Sequence, residues 1–408
     1  MNSFFQALEA DLENRCKQGI LKGDEKVIEK IVAGCGGYGP RVCIKGHGNT
    51  LFLRMNSNSY LGLANHPELL AAAEEAAHAY GVGPGAVRFI SGTTRPHIDL
   101  EDALGRFHNR PTAMIFNSAY AAVLGALAPL ISPETAVISD ELNHNSIINA
   151  LRLAKPAAKK VYSHLDMADL TSKIKECFGK AQRVLVVSDG IFSMRGDHTP
   201  LAEISGICRK YAPEFQEGIL TIIDDSHGVA VFGKTGRGTE EYCGAQADLL
   251  IGTLGKAFGV NGGYLTGEET IIRYLRETAA CYIYSNPISP AEAAAAHKSV
   301  QIVDSSEGTK RLEKLRSLTK HLEKGLMNLD YQIITSDHPI VPVVTGDTQT
   351  NKKLSEFLFS KGILVTPLSY PVVPRGADEI RLQVSAGHEP NDIDILLAAM
   401  ADFAEKRP

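Results

Sequence analysis

The 408-residue chain has no tryptophan and no cysteine pair at C-x-x-C spacing. Its seven cysteines (16, 35, 43, 177, 208, 243 and 281) are odd in number and widely scattered. That pattern excludes a disulfide framework and points to a reducing compartment, with most of the thiols serving as small apolar side chains. No H-E-x-x-H and no paired Cys/His spacing occurs among the 13 histidines, so no metal site is expected. The G-x-S-x-G elbow of serine hydrolases is missing as well. No apolar run reaches the ~18 residues of a membrane helix, so no membrane span is expected. The first residues, MNSFFQALEADLENRCKQ, are amphipathic and charged and lack the apolar region of a signal peptide, which makes the cytoplasm the expected location. Excess positive charge is also absent. With 42 Lys and Arg against 47 Asp and Glu, the formal net charge of −5 argues against nucleic acid as a partner.

A hydrophobic fraction of 44% with 22% charged residues supports a large core. Helical spacing predicts helices over 4–22, 67–80 (opened by Pro67), 97–108 and 119–130. A rhythm of short apolar runs follows: Ala136–Ser139, Lys160–Tyr162, Val184–Ser188, Leu220–Asp224 and Leu249–Thr253. Helix-like segments lie between most of them. Such runs alternating with helices predict an α/β fold with a mostly parallel sheet covered on both faces. After residue 290 the texture changes. Helices over 290–304, 309–329 and 391–405 surround strands at Ile340–Val344, Ile363–Thr366 and Ile380–Val384, which predicts a smaller C-terminal α+β domain. The expected organisation is an N-terminal helix with short strands (1–57), a large domain (58–290) and a small domain (291–408).

Two phosphate-loop patterns fail on inspection. Gly81, Gly83 and Gly85 form G-x-G-x-G without the strand-to-helix context of a dinucleotide site, and Gly252–Lys256 lacks the first glycine and the final Ser/Thr of a P-loop. Three strand ends are more informative. One apolar run leads into Asp224-Asp225-Ser226-His227-Gly228, another into Ser188-Asp189-Gly190, and a third into Thr253-Leu254-Gly255-Lys256-Ala257. Alone, each is an ordinary loop after a buried strand. Together they fall at the carboxyl edge of one sheet, where α/β proteins bind ligands. A lysine there can bond covalently to a carbonyl if its pKa is lowered. An ionised Asp closing a buried strand needs a cation, and a protonated pyridine nitrogen is one. These are the parts of a pyridoxal phosphate site.

The runs DDSHGVAVFGKTGRG (224–238) and TLGKAFGVNGGY (253–264) resemble the α-oxoamine synthases, pyridoxal-phosphate enzymes of the type I aminotransferase fold. NSYLGLANHPEL (58–69), VRFISGT (87–93), ISDELNHNSII (138–148), SDGIFSMRGD (188–197), YIYSNPISP (282–290) and PVVPRGADEIRLQVSAGHEP (371–390) extend the resemblance over nearly the whole chain. Within the family the chain is most similar to the glycine C-acetyltransferase branch. The resemblance implies pyridoxal 5'-phosphate as cofactor, with Lys256 bonding it, Asp224 on its ring nitrogen and His227 on its ring hydroxyl oxygen. It implies His144 stacked on the ring, Ser193 and Asp189 lining it, and Thr253 with the amides of Ala119 and Tyr120 on the phosphate. Ser285 and Asn286 would reach the phosphate from a partner subunit, so a homodimer is implied. Asn58 and Arg381 would bind the amino-acid carboxylate, and catalysis would rest on Lys256, His227, Asp224 and His144. The implied reaction joins glycine to acetyl-CoA. A decarboxylating synthase using another amino acid and a longer acyl-CoA stays open. Segment 33–49 departs from the branch, and so does Pro287, where relatives usually have Ser. Fifteen of the 37 glycines fall in 179–263, and Gly190, Gly228, Gly255 and Gly263 are expected to let the cofactor approach the backbone.

Overall fold

The computed structural model describes residues 2–405 apart from 19, 22, 24 and 371. The chain begins with three short strands, β1 (Ile28–Val32), β2 (Arg41–Ile44) and β3 (Phe52–Arg54). Seven more build the central sheet: β4 (Thr112–Phe116), β5 (Thr135–Asp140), β6 (Ala158–Tyr162), β7 (Arg183–Asp189), β8 (Ile219–Asp224), β9 (Leu249–Thr253) and β10 (Gly263–Gly267). Their order is β4-β10-β9-β8-β7-β5-β6. The five strands expected from apolar runs, β5 to β9, form its parallel part. β4 and β10 were not expected. β10 runs antiparallel to both β9 and β4, so that edge is mixed. Its sequence, GYLTG, is short and glycine-ended and carries no strand signal of its own.

Alternate residues of the parallel strands enter opposite cores. Val137, Leu185, Val187, Ile222 and Ile251 pack with the helix Ala119–Leu130 on one face. Ala136, Ile138, Val184 and Val186 pack with the helices Met167–Lys175 and Leu201–Tyr211 on the other. Each fully buried aliphatic side chain contributes about 1.5–3 kcal/mol, and covering on both faces explains why these strands read as continuous apolar runs.

The chain leaves β5 toward β6 on one side and returns as β7 on the other. This reversal opens a crevice beyond the strand ends. Register brings the chemistry to that edge. Asp189 lies opposite Asp224, Asp224 opposite Ile251, and Gly263 opposite both Thr253 and Phe116.

Helix Pro67–Tyr80 opens on Pro67 as expected, and the first helix spans Ser3–Lys17; positions 19 and 22 of its predicted range lie outside the described residues. In the C-terminal part, β11 (Ile340–Val344), β13 (Thr366–Leu368) and β14 (Glu379–Gln383) form an antiparallel sheet in the order β11-β14-β13. The strand predicted at 363–366 is two strands. β12 (Ile363–Leu364) joins β3 in parallel and completes a second sheet, β1-β2-β3-β12, while β13 turns to β14. An unanticipated helix, Thr348–Ser360, precedes them.

Candidate active site

A cavity of about 210 Å³ lies at the carboxyl edge of β5, β7, β8 and β9. Nine predicted residues line it: Ala119, Tyr120, His144, Asp189, Ser193, Asp224, His227, Thr253 and Lys256. Ser146, Ile191 and Ser226 complete the wall.

Lys256 follows β9 in a tight turn closed by the N–H of Val260 on the Leu254 carbonyl and that of Gly259 on the Lys256 carbonyl. Burial lowers the lysine's pKa to about 8, against the opposing pull of Asp224 and Asp189. A neutral amine is therefore accessible near neutral pH, as covalent attack on a carbonyl requires. Asp224 closes β8, and its Oδ1 accepts the Ser226 N–H at 3.1 Å. Burial, reinforced by the neighbouring Asp224, raises the Asp189 carboxyl well above the usual carboxylate range. Its Oδ2 accepts the His144 N–H at 3.1 Å, while its Oδ1 is buried without a partner. Ser226 Oγ is likewise buried and unpartnered. Two orphaned polar atoms in one cavity wall fit a bound group that supplies polar atoms of its own.

His144 has two jobs. It caps the helix Asn145–Leu153, its Nδ1 accepting the Ser146 N–H, and it also walls the cavity. Desolvation lowers its pKa, opposed by Asp224. Burial, then the charge of Lys256, holds His227 far below the ordinary histidine range, so its ring is neutral. At the cavity too, Ser118 caps the helix Ala119–Leu130 by accepting the Ala121 N–H at 3.1 Å, and the Ala122 N–H goes to the Ser118 carbonyl. The amides of Ala119 and Tyr120 have no acceptor among the described residues, which leaves a positive helix end at the cavity.

Four predicted residues lie outside this lining. Arg381 on β14 reaches the rim, donating from Nη1 to the Ser193 carbonyl at 2.7 Å; its Nε is buried without a partner. Asn58 connects indirectly: its Oδ1 accepts from Gln383 Nε2 and from the Tyr60 hydroxyl, which also lies 2.8 Å from His227 Nδ1. Ser285 is held by Asn117 Nδ2 at 2.8 Å, and neither it nor Asn286 meets the cavity of its own chain.

Several of the glycines expected near the cofactor are also required by the protein's own packing. A Cβ at Gly190, Gly228 or Gly238 would strike the carboxylate of Asp225, and one at Gly263 would strike the Ala119 amide nitrogen. Gly255 has ordinary space around it. Gly190, Gly228, Gly238 and Gly263 make room for the protein's own parts, namely a second buried aspartate and the start of the helix Ala119–Leu130. Asp225 is fully enclosed, takes the Thr239 N–H at 2.7 Å and hydroxyl at 2.6 Å, and is pushed by burial to about 7.

Sequence reasoning also missed supporting residues. Asn143 staples the switch point: its Nδ2 donates to Ser139 Oγ and the Val187 carbonyl, and its Oδ1 accepts the Asp189 N–H, all at 2.8 Å. Its place beside His144 was the available signal. His164 bridges Asp140 (3.0 Å) and Asp197 (3.3 Å); burial disfavours its charge, but the two carboxylates prevail and raise it to about 9. His97 is a buried residue whose Nε2 lies 2.8 Å from the Ile288 carbonyl.

The sheet, the switch-point cavity and the lysine at its edge define a pyridoxal-phosphate-dependent transferase of the type I fold, and residues 51–400 match the family described as aminotransferase class I and II. Human mitochondrial 2-amino-3-ketobutyrate coenzyme A ligase is 37% identical over 398 residues, covering 97% of this chain and 91% of that protein. The 8-amino-7-oxononanoate synthase of Thermosipho melanesiensis is 38% identical over 356 residues, covering 87% and 88%. The structure of Sphingomonas wittichii serine palmitoyltransferase superposes with a TM-score of 0.88 at 25% identity, over 100% of this chain and 99% of that one. The chain belongs to the α-oxoamine synthases and is a pyridoxal-phosphate-dependent acyltransferase of that family. Among the described residues no helix is long and apolar enough to cross a membrane.

Proposed function

We propose that this acyltransferase condenses glycine with acetyl-CoA to give 2-amino-3-oxobutyrate and CoA. The observation that carries the reading is one lysine, held near pKa 8 by burial, facing Asp224, Asp189, His144 and His227 in a single cavity with Arg381 at its rim. Lys256 bonds the cofactor, Asp224 pairs with its ring nitrogen, His227 with its hydroxyl oxygen, and His144 covers the ring. Ser193 and Asp189 line it, while Thr253 and the amides of Ala119 and Tyr120 hold the phosphate. When bound, pyridoxal phosphate supplies an electron sink for negative charge at the amino acid's Cα.

Arg381 and Asn58 bind the glycine carboxylate, the guanidinium offering two parallel donors. Lys256 Nζ, in its neutral form, takes a proton from Cα. A carbon–carbon bond then forms to the thioester carbonyl, the carbon–sulfur bond breaks, and CoA leaves with the sulfur's electron pair. His227 stabilises the charge that develops on the carbonyl oxygen.

A homodimer accompanies this reading, with Ser285 of the partner subunit and Asn286 of the partner subunit reaching the phosphate. Support comes from apolar side chains left in water: Tyr284, next to Ser285 in the chain, is 79% exposed, Val82 87% and Phe89 65%. The seven free cysteines support a reducing, cytoplasmic setting.

A decarboxylating synthase with a longer acyl thioester is the second reading, favoured by the equal likeness to 8-amino-7-oxononanoate synthases. Mass spectrometry of products after incubation with pyridoxal phosphate, glycine and acetyl-CoA separates them. The expected product is 2-amino-3-oxobutyrate with its carboxylate retained. Stoichiometric carbon dioxide from another amino acid and a long acyl-CoA, with no glycine product, overturns the first reading.

A further inference from the structure

Beside His227 stands a histidine to which the proposed reaction gives no task. His338 has no exposed surface. Its Nδ1 accepts the N–H of Ile340 at 3.3 Å, which leaves the ring proton on Nε2. Nε2 lies 2.8 Å from the carbonyl oxygen of His227 and donates to it. The same ring stands edge-on to Tyr60, with centroids 5.2 Å apart at 85°. The Tyr60 hydroxyl is 2.8 Å from His227 Nδ1. One imidazole therefore supports His227 twice, through its main chain and through the partner of its side chain. Ile340 also opens β11, where Pro342 lies opposite Arg381 on β14. His338 thus joins the strand pair that carries Arg381 to the loop that carries His227.

We propose that His338 is a positioning residue, which fixes His227 and Tyr60 against the cavity and couples the Arg381 strand to the cofactor loop. The inference rests on the reading that His227 touches bound pyridoxal phosphate. The groups that act on the ring are the carbonyl of His227, which favours its charge, and the cations Lys256 and Arg381, which oppose it. Burial dominates and pushes His338 down to about 3, so it is a neutral donor across the working pH range. A buried donor that never titrates suits a fixed strut and rules out a proton carrier. His227 in turn is set at a constant distance from whatever oxygen it faces, and small misplacements of such a group are costly.

The test uses the pyridoxal-phosphate-loaded enzyme with His338→Leu, which keeps the volume and removes the donor, and His338→Gln, whose amide can still reach the His227 carbonyl. The first readout is the pH midpoint of the cofactor's absorption band. The second is kcat and KM for glycine with acetyl-CoA, and the third is thermal stability. For His338→Leu we expect kcat to fall about 10–100-fold, the scale at which outer partners of a reacting group act, and the band midpoint to move from the wild-type value. His338→Gln should recover most of both.

The inference is overturned if His338→Leu keeps the wild-type midpoint and kcat. It is also overturned if activity falls only in step with melting temperature while the midpoint stays put. Should His338→Leu not fold, Tyr60→Phe keeps the ring contact and removes the hydroxyl. It must then move the midpoint away from the wild-type value; an unmoved midpoint in Tyr60→Phe sinks the idea. A wild-type protein that takes up no pyridoxal phosphate fails the underlying reading, whereas a normal wild-type band with indifferent variants fails only this one.

Discussion

The cavity and the arm beside it are built on different principles. The rim of the central sheet carries groups that perturb one another: Lys256 is lowered by burial, and Asp189 is raised by burial and by Asp224. The neighbouring arm, from residues 57–62 and 336–385, brings Tyr60, Asn58, Gln383 and His338 toward the site together with the cation Arg381. The rim's charges sit on neighbouring parallel strands in fixed register. The arm reaches its place through contacts between distant parts of the chain. On the proposed reading, the groups with perturbed pKa values sit on strands in fixed register, and recognition of the amino acid falls to the element held by long-range contacts.

The largest expected effect tests the rim. Lys256→Ala should cut turnover by about 10³-fold or more, with the circular dichroism spectrum intact. In the cofactor-free wild type, capture of pyridoxal phosphate should accelerate as pH rises through about 8, because only the neutral amine attacks; a midpoint near 10 would show that burial does not tune this lysine. Next comes the arm. Arg381→Lys keeps the charge and loses the flat pair of donors, so KM for the amino acid should rise roughly 10–100-fold while kcat changes less. A fall in kcat at unchanged KM would move Arg381 from recognition to chemistry and erase the distinction between the cavity and the arm.

A third change sharpens the comparison from the backbone side. Gly263→Ala forces the start of the helix Ala119–Leu130 away from β10. We expect about 1–3 kcal/mol of lost stability in urea titration and weaker cofactor binding. The smallest effect is expected from His164, which clamps the end of β5 to the 190–199 loop. Its pKa is raised from 6.5 to about 9, so its contribution is complete below pH 6.5 and is lost as pH climbs through 9. His164→Leu should therefore cost on the order of 1–2 kcal/mol at pH 6, and almost nothing at pH 10, in parallel denaturation curves.

The same division governs what could be read in advance. The rim was legible because each polar cluster closes a continuous apolar run, and a polar group at a buried strand end has few explanations. The five parallel strands were legible for the same reason. β4 was not, since its antiparallel partner lies more than 140 residues later in the chain, and neither was β10, whose short glycine-ended GYLTG carries no strand signal. The helix Thr348–Ser360 hides its apolar face behind Thr, Asn and Lys. The strand at 363–366 divides at Val365 between two sheets, a bend that no local residue announces. His338 has no motif around it; its meaning comes from a carbonyl 111 residues away. The glycine cluster signalled a close approach, and the sequence does not say that Asp225 and the Ala119 amide are among what approaches.

The parallel pairing of β3 with β12 carries a consequence for how the molecule comes into being. Leu53 meets Ile363, some 310 residues later in the chain. At the ribosome's pace of roughly 5–20 residues per second, β3 waits on the order of 15–60 s for its neighbour to be made. Throughout that interval one side of the β1-β2-β3 sheet is an open edge, able to pair with any other nascent strand. Vectorial synthesis thus leaves the first sheet of this protein among the last to close, and slowing translation over the final third of the message should raise the share of chains that aggregate before they finish folding.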